Sequence, residues 1–270
     1  MRGLFRFLLG LAACAVLFYS GTNLLAYIRE SSQSASLNAK LVEGAVGVKD
    51  PKTHSDPPDF FSMLFPAGEP DPTEEPIPEE TVPISVDFDY LTENNPDVVG
   101  WLYSENTPIN LPLAQAKDND YYLRRMLDGS WNAAGTLFLD YRNAGNFSDG
   151  NTVIYGHNMK DKSMFAELLN YKDQTYFEEH PIMWLLTPEG NYQMELVAGY
   201  VTSASARIYS IGLPEDDLFA LVEKAVSQST FISDFQPSRT DRFVTLSTCS
   251  YEYDDARYVV LGRLVSLDEK

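Results

Sequence analysis

The strongest constraint on how this chain can fold is an uncharged apolar run close to its N-terminus. Residues 7–28 contain no Asp, Glu, Lys or Arg. This run of about 22 residues would rise roughly 33 Å as an α-helix, which is enough to cross the hydrocarbon core of a bilayer. We therefore predict that residues 1–30 form a membrane anchor with a short cytoplasmic N-terminus.

The charges around the apolar run predict its orientation. Arg2 and Arg6 precede it, and a positive flank is retained in the cytoplasm, so the rest of the chain would lie outside the cell. Two alternatives stay open. A cleaved signal peptide would have a shorter apolar run closed by a small-residue cleavage site. A lipoprotein signal would use Cys14, but the chain continues apolar at residues 15–18, where a mature lipoprotein would turn polar.

Residues 31–85 are predicted to form an acidic, Pro-rich extracellular tether. The segment GEPDPTEEPIPEETVP at residues 68–83 contains no Lys or Arg. A segment of this composition repels itself and stays extended. An apolar island at residues 60–65 interrupts the tether, and the sequence leaves open whether this island docks on the protein or on the membrane.

From about residue 86 onward, short segments rich in Val, Ile, Tyr and Thr alternate with turn residues, a pattern typical of β-strands. Many short strands with few helices favour a mainly β fold, either a closed barrel or a sandwich. One predicted helix carries Leu218, Leu221, Val222 and Ala225 on a single face, which indicates a packing stripe. The predicted strands are 98–103, 109–114, 135–139, 152–155, 182–187, 192–198, 200–204, 243–247 and 258–265. The predicted helices are 87–91, 118–127, 163–171 and 215–226.

Composition and motifs exclude several function classes. The formal net charge of -19 leaves no excess of Lys and Arg for nonspecific contacts with nucleic acid phosphates. Three histidines and one cysteine outside the apolar run do not supply the ligand spacing of a zinc site. The chain has no phosphate-binding loop and no nucleophile elbow, and its acidic clusters at 118–120 and 254–255 lack a complete Ca²⁺-loop pattern. We therefore predict no metal, no cofactor and no nucleic acid partner.

Cys249 is the candidate nucleophile because it is the only thiol outside the apolar run and ends a β-branched segment at residues 243–249. The alternative is a small buried apolar residue, which free cysteines often are. After a turn the chain enters another strand at Arg257. If the two strands are antiparallel neighbours, Cys249 and Arg257 lie at the same rim, where the fixed positive charge can bind an oxyanion or a carbonyl. The alternative for Arg257 is a surface ion pair with Asp254 or Asp255.

A thiol nucleophile needs a proton partner, and histidine serves this purpose near neutral pH. His54 lies in the predicted tether, and His180 precedes a proline at the start of a strand. His157 directly follows a predicted strand that ends in Gly156. We expect Gly156 to let the backbone bend so that the imidazole points over the rim, and catalytic groups gather where rigid strands end. His157 is therefore the candidate proton partner.

Three separated segments together resemble the sortase family. TLSTC at residues 245–249 is similar to the sortase TLxTC motif, and VIYGHNM at residues 153–159 is similar to the strand-end GH motif. Arg257 stands at the position of the sortase catalytic arginine. The similarity extends over residues 88–265, and FLDYRN at residues 138–143 resembles the class B branch.

The resemblance implies an eight-stranded sortase-type β-barrel with an N-terminal helix and a helix inserted before the Cys strand. Residues 86–270 would then be the catalytic domain. It also implies a cysteine transpeptidase. Cys249 would cleave a C-terminal sorting signal after Thr and form a thioacyl enzyme, which an amine on a cell-wall precursor peptide or a pilin would resolve. His157 would protonate the leaving amine and deprotonate the incoming one, while Arg257 would hold the carbonyl oxygen. The implied partners are surface proteins with such signals.

The same resemblance assigns substrate contacts. Class B members line their groove with an Asn and a Leu from a D-N-x-x-Y-L stretch, which here is DNDYYL at residues 118–123, so Asn119 and Leu123 carry over. Ser247 and Thr248 precede the thiol, and Tyr209 precedes the inserted helix. We expect all of these residues to contact substrate.

One position departs from the family pattern. Some members have Glu directly after the Cys, whereas this chain has Ser250, and the sequence leaves open whether Glu252 takes over that contact. The sequence also leaves open the letters of the sorting signal, the choice between a wall and a pilin acceptor, and the protonation state of the Cys–His pair. The alternatives to a sortase are a non-catalytic peptide-binding surface module on the same scaffold and a cysteine hydrolase that uses water.

Overall fold

The structure is a computed structural model that describes residues 2–48 and 82–267. It begins with one long helix, α1, at Arg2–Ala45, which runs into the short strand β1 at Val46–Val48. The predicted anchor lies within α1. Residues 31–45, assigned to the tether from sequence, instead continue the helix. Residues 46–48 and 84–85 of the predicted tether lie in short strands, and its residues 49–81, including the apolar island at 60–65, lie outside the described residues.

The helix extends past residue 30 because its second half has a surface to pack on. Ser34, Leu41 and Ala45 are buried, and Leu37 and Val42 are partly buried against the same apolar cluster. Their spacing follows the helical repeat and forms one stripe along α1. The stripe is buried only because other parts of the chain pack against it. Local composition does not show that packing, so the sequence predicted a tether here.

The chain resumes beside the end of α1. Strand β2 at Ile84–Val86 pairs antiparallel with β1 to form a two-stranded sheet. Helix α2 at Phe88–Asn94 follows and begins where Asp87 accepts a hydrogen bond from the Tyr90 N–H at 2.9 Å. This N-cap satisfies one of the free N–H groups of the first turn. The predicted helix at 87–91 is thus confirmed.

Within the described residues, eight strands close into a barrel. Around the barrel the order is β10-β8-β7-β3-β4-β5-β6-β9, with β9 returning to β10. Most neighbours are antiparallel, but β4 pairs parallel with β5 and β6 pairs parallel with β9. The closed barrel with an N-terminal helix confirms the predicted fold. The strands are β3 (Val98–Tyr103), β4 (Asn110–Ala114), β5 (Leu137–Leu139), β6 (Asn151–Tyr155), β7 (Ile182–Thr187), β8 (Gly190–Ser203), β9 (Arg242–Cys249) and β10 (Ala256–Ser266).

Apolar side chains of the strands are buried on both sides of the barrel wall. Tyr258 and Val260 of β10 lie in one core cluster, whereas Val259 and Leu261 lie in another. The first cluster fills the interior, and the second packs under α4 at Glu215–Ser227, which buries Leu218, Val222 and Ala225 as predicted. A third cluster joins α1 and α2 to the opposite wall. A short helix, α3 at Gln174–Glu179, precedes β7.

Two predictions of local structure are wrong. The predicted helix at 118–127 contains only a 3₁₀ turn at Tyr122–Arg124. The Asp118 carboxylate accepts the N–H groups of Asp120 and Tyr121 at 2.9 and 2.8 Å, which gives the backbone an alternative to a helix. The predicted strands 192–198 and 200–204 form the single strand β8, which continues through Gly199. A Cβ there would lie 2.5 Å from the Tyr258 hydroxyl, so glycine makes room for that ring.

Candidate active site

Cys249 and Arg257 face each other across two neighbouring strands. Strand β9 ends at Cys249, β10 begins at Ala256, and the antiparallel register pairs Arg257 directly with Cys249. Both side chains are partly exposed. The turn at residues 250–255 therefore brings a thiol and a guanidinium to one rim of the barrel.

His157 reaches the same rim through the parallel pairing of β6 with β9. The last paired residues are Tyr155 and Ser247. Beyond them the Gly156 N–H donates to the Ser247 carbonyl at 3.1 Å, and the Thr248 hydroxyl donates to the Gly156 carbonyl at 2.9 Å. The alignment continues to the thiol, because the Asn158 amide donates to the Cys249 carbonyl at 3.0 Å. These bonds hold His157 alongside Cys249.

Gly156 is required for space and not for a special backbone conformation. It is not among the glycines with a positive φ in the described residues. A Cβ at this position would lie 2.4 Å from Leu137 Cδ2 and 2.6 Å from the Phe165 ring. This crowding explains why glycine stands here, and no left-handed backbone is involved. A side chain here would push the strand end, and His157 with it, off the barrel core.

The His157 ring has a defined hydrogen-bond partner. Its Nε2 lies 2.7 Å from the backbone carbonyl of Leu123. A carbonyl only accepts, so the proton sits on Nε2 and donates to Leu123, which leaves Nδ1 as the basic nitrogen of the neutral ring. Burial lowers the pKa of His157 and outweighs the opposing effect of this hydrogen bond. The neutral imidazole is therefore favoured at neutral pH.

The other histidine within the described residues has a structural environment. His180 ends helix α3, its ring packs on Tyr176 with centroids 4.6 Å apart, and its carbonyl accepts a hydrogen bond from the Tyr171 hydroxyl. His54 lies outside the described residues. The placement at a strand end thus selected the histidine that lies beside the thiol.

A cavity of about 270 Å³ opens at this rim. It is lined by every predicted catalytic and substrate-binding residue and by four other residues. The singled-out residues are His157, Cys249, Arg257, Asn119, Leu123, Ser247, Thr248 and Tyr209. The four others are Phe138, Tyr155, Gly156 and Ala204. Phe138, Tyr155 and Gly156 belong to the segments that carried the resemblance. Tyr155 is the last residue of β6, and the alternation of side chains between the two faces of that strand could have indicated it as a site residue.

Tyr209 and Ser247 meet in the wall of the cavity. The Tyr209 hydroxyl and the Ser247 hydroxyl lie 2.9 Å apart, and both residues are buried. Burial raises the pKa of Tyr209 to about 12. The phenol therefore stays neutral and can both donate and accept in this wall.

A buried carboxylate, missed from sequence, holds the opposite wall. Asp140 is fully buried and accepts hydrogen bonds from the Asn119 amide at 3.1 Å and the Tyr155 hydroxyl at 2.9 Å. Arg142 donates to it from its backbone N–H and, at 2.8 and 2.6 Å, from two guanidinium nitrogens. Arg142 also donates to the Tyr209 carbonyl at 3.1 Å. Burial alone would raise the pKa of Asp140, but these donors lower it to about 2.

Glu252 is engaged elsewhere in the turn after Cys249. It forms an ion pair with Lys172 and accepts a hydrogen bond from the Ser250 hydroxyl. These bonds lower the pKa of Glu252 to about 2. Glu252 does not line the cavity that contains Cys249. Its described partners are Lys172 and Ser250.

Comparisons with known proteins agree with this architecture. The sortase domain family matches residues 102–265. The chain is 41% identical to Sortase B of Listeria monocytogenes over 179 residues, which cover 65% of this chain and 73% of the relative. Among solved structures, a Staphylococcus aureus sortase B–substrate complex matches with a TM-score of 0.64 and 29% identity over 67% of this chain and 85% of that one. Sortase B of Bacillus anthracis in complex with AAEK1 matches with a TM-score of 0.68 and 28% identity over 88% and 99%.

The closed barrel with a thiol, an imidazole and a guanidinium at one rim has the parts of a cysteine acyltransferase. The chain belongs to the sortase family and, within it, to class B, whose members are cysteine transpeptidases. In the described residues, one helix is long and apolar enough to cross a membrane, at Leu9–Ala45, and its most apolar part is not covered by the rest of the structure. This helix is compatible with a membrane anchor.

Proposed function

We propose that Cys249, His157 and Arg257 carry out transpeptidation on a C-terminal sorting signal that binds in the cavity. The observation that carries the proposal is the register, which pairs Arg257 with Cys249 on one side while the β6–β9 alignment holds His157 on the other. A thiol with a proton partner and a fixed cation supplies the parts of nucleophilic acyl transfer.

The acylation step starts from the neutral imidazole. Nδ1 of His157 takes the proton of the Cys249 thiol as the sulfur attacks the carbonyl carbon of the signal's Thr. The C–S bond forms, the C–N bond after Thr breaks, and the proton passes from His157 to the leaving amine. The product is a thioester on Cys249 with the upstream part of the substrate attached.

An amine resolves the thioester. His157 accepts a proton from the incoming amine, whose nitrogen attacks the thioester carbon, and the proton returns to the sulfur as the C–S bond breaks. The Leu123 carbonyl keeps the ring oriented throughout, because it binds Nε2 and leaves Nδ1 for both transfers. The amine belongs to a cell-wall precursor peptide or a pilin.

Arg257 stabilises the negative oxygen that forms in both steps. One of its terminal nitrogens donates to the Ala256 carbonyl at 3.0 Å, which orients the guanidinium and leaves other N–H groups for the substrate. The charge stays fixed at all working pH values. A preformed donor of this kind acts at the developing oxyanion without reorganisation.

The N-terminal helix anchors the enzyme as a single span with a cytoplasmic N-terminus and an extracellular catalytic domain. Exposed Leu17 and Phe18, at 72% and 76%, support this proposal because lipid is the solvent that suits such side chains. Arg2 and Arg6 precede the span, as the positive-inside rule requires.

The test uses a quenched fluorescent peptide library with Thr fixed at the cleaved position, with and without triglycine as the amine. We expect Cys249→Ala to abolish cleavage while keeping the native circular dichroism spectrum, and we expect the parent enzyme to form a triglycine conjugate through Thr. Cleavage with no conjugate at any amine concentration would identify a hydrolase. Full cleavage by Cys249→Ala, or peptide binding with no cleavage by the parent, would refute the proposed chemistry.

A further inference from the structure

The catalytic barrel touches α1 at the point where the apolar run ends. Tyr27, at the end of that run, is already half-buried, and it begins the stripe that continues along the helix to Ala45. Three residues after Tyr27 the Asn132 amide donates to the Glu30 carbonyl at 2.8 Å, and the Ser31 hydroxyl donates to the Asp161 carboxylate at 2.5 Å. These bonds tie two separate loops of the barrel to one level of the helix.

The rise of the helix gives the position of these two contacts relative to the end of the apolar run. Each residue advances about 1.5 Å along a helix, so Glu30 and Ser31 stand only about 3–5 Å beyond Ile28. The polar headgroup region extends roughly 5–8 Å outside the hydrocarbon core on each side. If Ile28 marks the outer boundary of the span, Asn132 and Asp161 contact the helix at the depth of the headgroups.

The surface next to Asn132 has the residues typical of a membrane interface. Trp131 is 56% exposed and Tyr121 is 42% exposed. The two aromatic residues line one shallow cavity of about 330 Å³, and the Arg125 guanidinium lies 5.0 Å from the Tyr121 ring centroid. Trp and Tyr are enriched at the headgroup level because their rings are apolar and their N–H or O–H groups remain hydrated.

We propose that the face around Trp131 and Tyr121 lies in the lipid headgroup layer, so that the catalytic domain rests on the membrane surface. This inference depends on the membrane anchor of the proposed function. The face contains both signs of charge, so we assign its binding to the aromatic side chains and not to net attraction. Its charged residues and those of the loop after His157 are Arg124, Arg125, Lys160, Lys162, Asp118, Asp120 and Asp161.

The active site shares these two loops. Leu123, whose carbonyl binds the His157 ring, directly precedes Arg124, which belongs to the face around Trp131 and Tyr121. Asp161, which binds Ser31, lies in the loop that follows His157. The cavity that contains Cys249 therefore opens close to the lipid surface. A sorting signal or an amine acceptor that is itself held by the membrane reaches the thiol without leaving that surface.

Tryptophan fluorescence tests this placement in the full chain. The sequence has three tryptophans, and Trp101 and Trp184 are 0% and 7% exposed, so only Trp131 can meet lipid from outside the protein. The protein is reconstituted in phosphatidylcholine vesicles that carry a spin label on the headgroup. We expect the label to quench the parent protein, and we expect Trp131→Phe to lose this quenching while the matched control Trp184→Phe keeps it. Added phosphatidylglycerol should leave the quenching unchanged.

The outcomes separate the two proposals. Protein that does not float with the vesicles would refute the anchor itself. Protein that floats but is quenched equally with and without Trp131, or not at all, would overturn the membrane-facing surface and leave the anchor intact. As a second readout, Trp131→Asp should slow cleavage of a vesicle-bound peptide several-fold and leave cleavage of the same soluble peptide unchanged. An equal effect on both peptides would also overturn the inference.

Discussion

Replacing the buried carboxylate behind the cavity, Asp140→Asn, tests how the substrate wall is oriented. In the parent, Asn119 donates from Nδ2 to Asp140, and its Oδ1 accepts the Tyr141 N–H at 3.0 Å. Both ends of the Asn119 amide are therefore assigned, and its second N–H remains for the cavity. In the variant, one acceptor oxygen becomes an NH₂ group that faces donors from Asn119, Tyr155 or Arg142. If the Asn119 amide turns over, its NH₂ group faces the Tyr141 N–H instead, so neither orientation of Asn119 satisfies both neighbours.

The stability cost follows from the pKa of Asp140. Its value of about 2, against an ordinary 3.8, corresponds to about 2 kcal/mol in favour of the folded protein at neutral pH. Because the folded pKa is depressed, this contribution is present above the unfolded pKa and is lost as the pH falls through about 2. We expect Asp140→Asn to lower the free energy of unfolding at pH 7 by about 2 kcal/mol. The difference from the parent should shrink between about pH 4 and pH 2.

The functional cost appears in substrate binding. Loss of one oriented hydrogen bond to peptide costs about 1 kcal/mol or slightly more, so KM should rise roughly five- to tenfold. Alkylation of Cys249 by iodoacetamide should stay within about twofold of the parent, since a hydrogen bond that acts on substrate leaves the free thiol unaffected. In the double variant with Asn119→Ala, Asp140→Asn should add little to KM because both changes remove the same contact.

Urea unfolding, peptide kinetics and thiol alkylation measure these effects. Asp149→Asn is the matched control, because Asp149 is a partly buried carboxylate that accepts from the Asn143 amide and the Ala144 N–H but does not line the cavity. An additive effect of Asp140→Asn and Asn119→Ala on KM, or an unchanged KM in Asp140→Asn, would refute the orientation argument. A KM unchanged by Asn119→Ala alone would instead show that peptide does not use this wall.

Three further predictions concern the rim that carries the thiol. Because burial lowers the pKa of His157, the acid limb of kcat/KM should lie below the ordinary value of about 6.5; a limb above that value would contradict the neutral-imidazole mechanism. Gly156→Ala should lower the free energy of unfolding by about 1–3 kcal/mol through overpacking against Leu137. Gly212 is exposed and uncrowded but has a positive φ, so Gly212→Ala would lose stability through backbone strain alone. Arg257→Lys should lower kcat more than it raises KM, roughly 100-fold or more, because a lysine does not reproduce the guanidinium geometry at the oxyanion; a change confined to KM would assign Arg257 to ground-state binding.

Several strands of this fold, and the positions of the catalytic candidates at strand ends, could be predicted from local sequence. The strands at Val98–Tyr103 and Ile182–Thr187 end where the pattern predicted, because β-branched and aromatic runs bounded by turn residues specify strands through neighbouring residues alone. The placement of Cys249, His157 and Arg257 at strand ends could also be predicted, because neighbouring residues determine where a strand ends. Their meeting followed only on the assumption that the strands are neighbours.

The tertiary structure decided what depends on residues far apart in the chain. The parallel β6–β9 pairing sets His157 beside Cys249, and Asp140 acquires its donors from three separate segments. The extension of α1 to Ala45 depends on a barrel face that covers its stripe, and Gly156 is needed because two distant side chains crowd it. Periodicity and turn chemistry act between neighbours and can be read along the sequence. Burial and crowding arise only when the barrel closes, and they determined which polar groups became its active site.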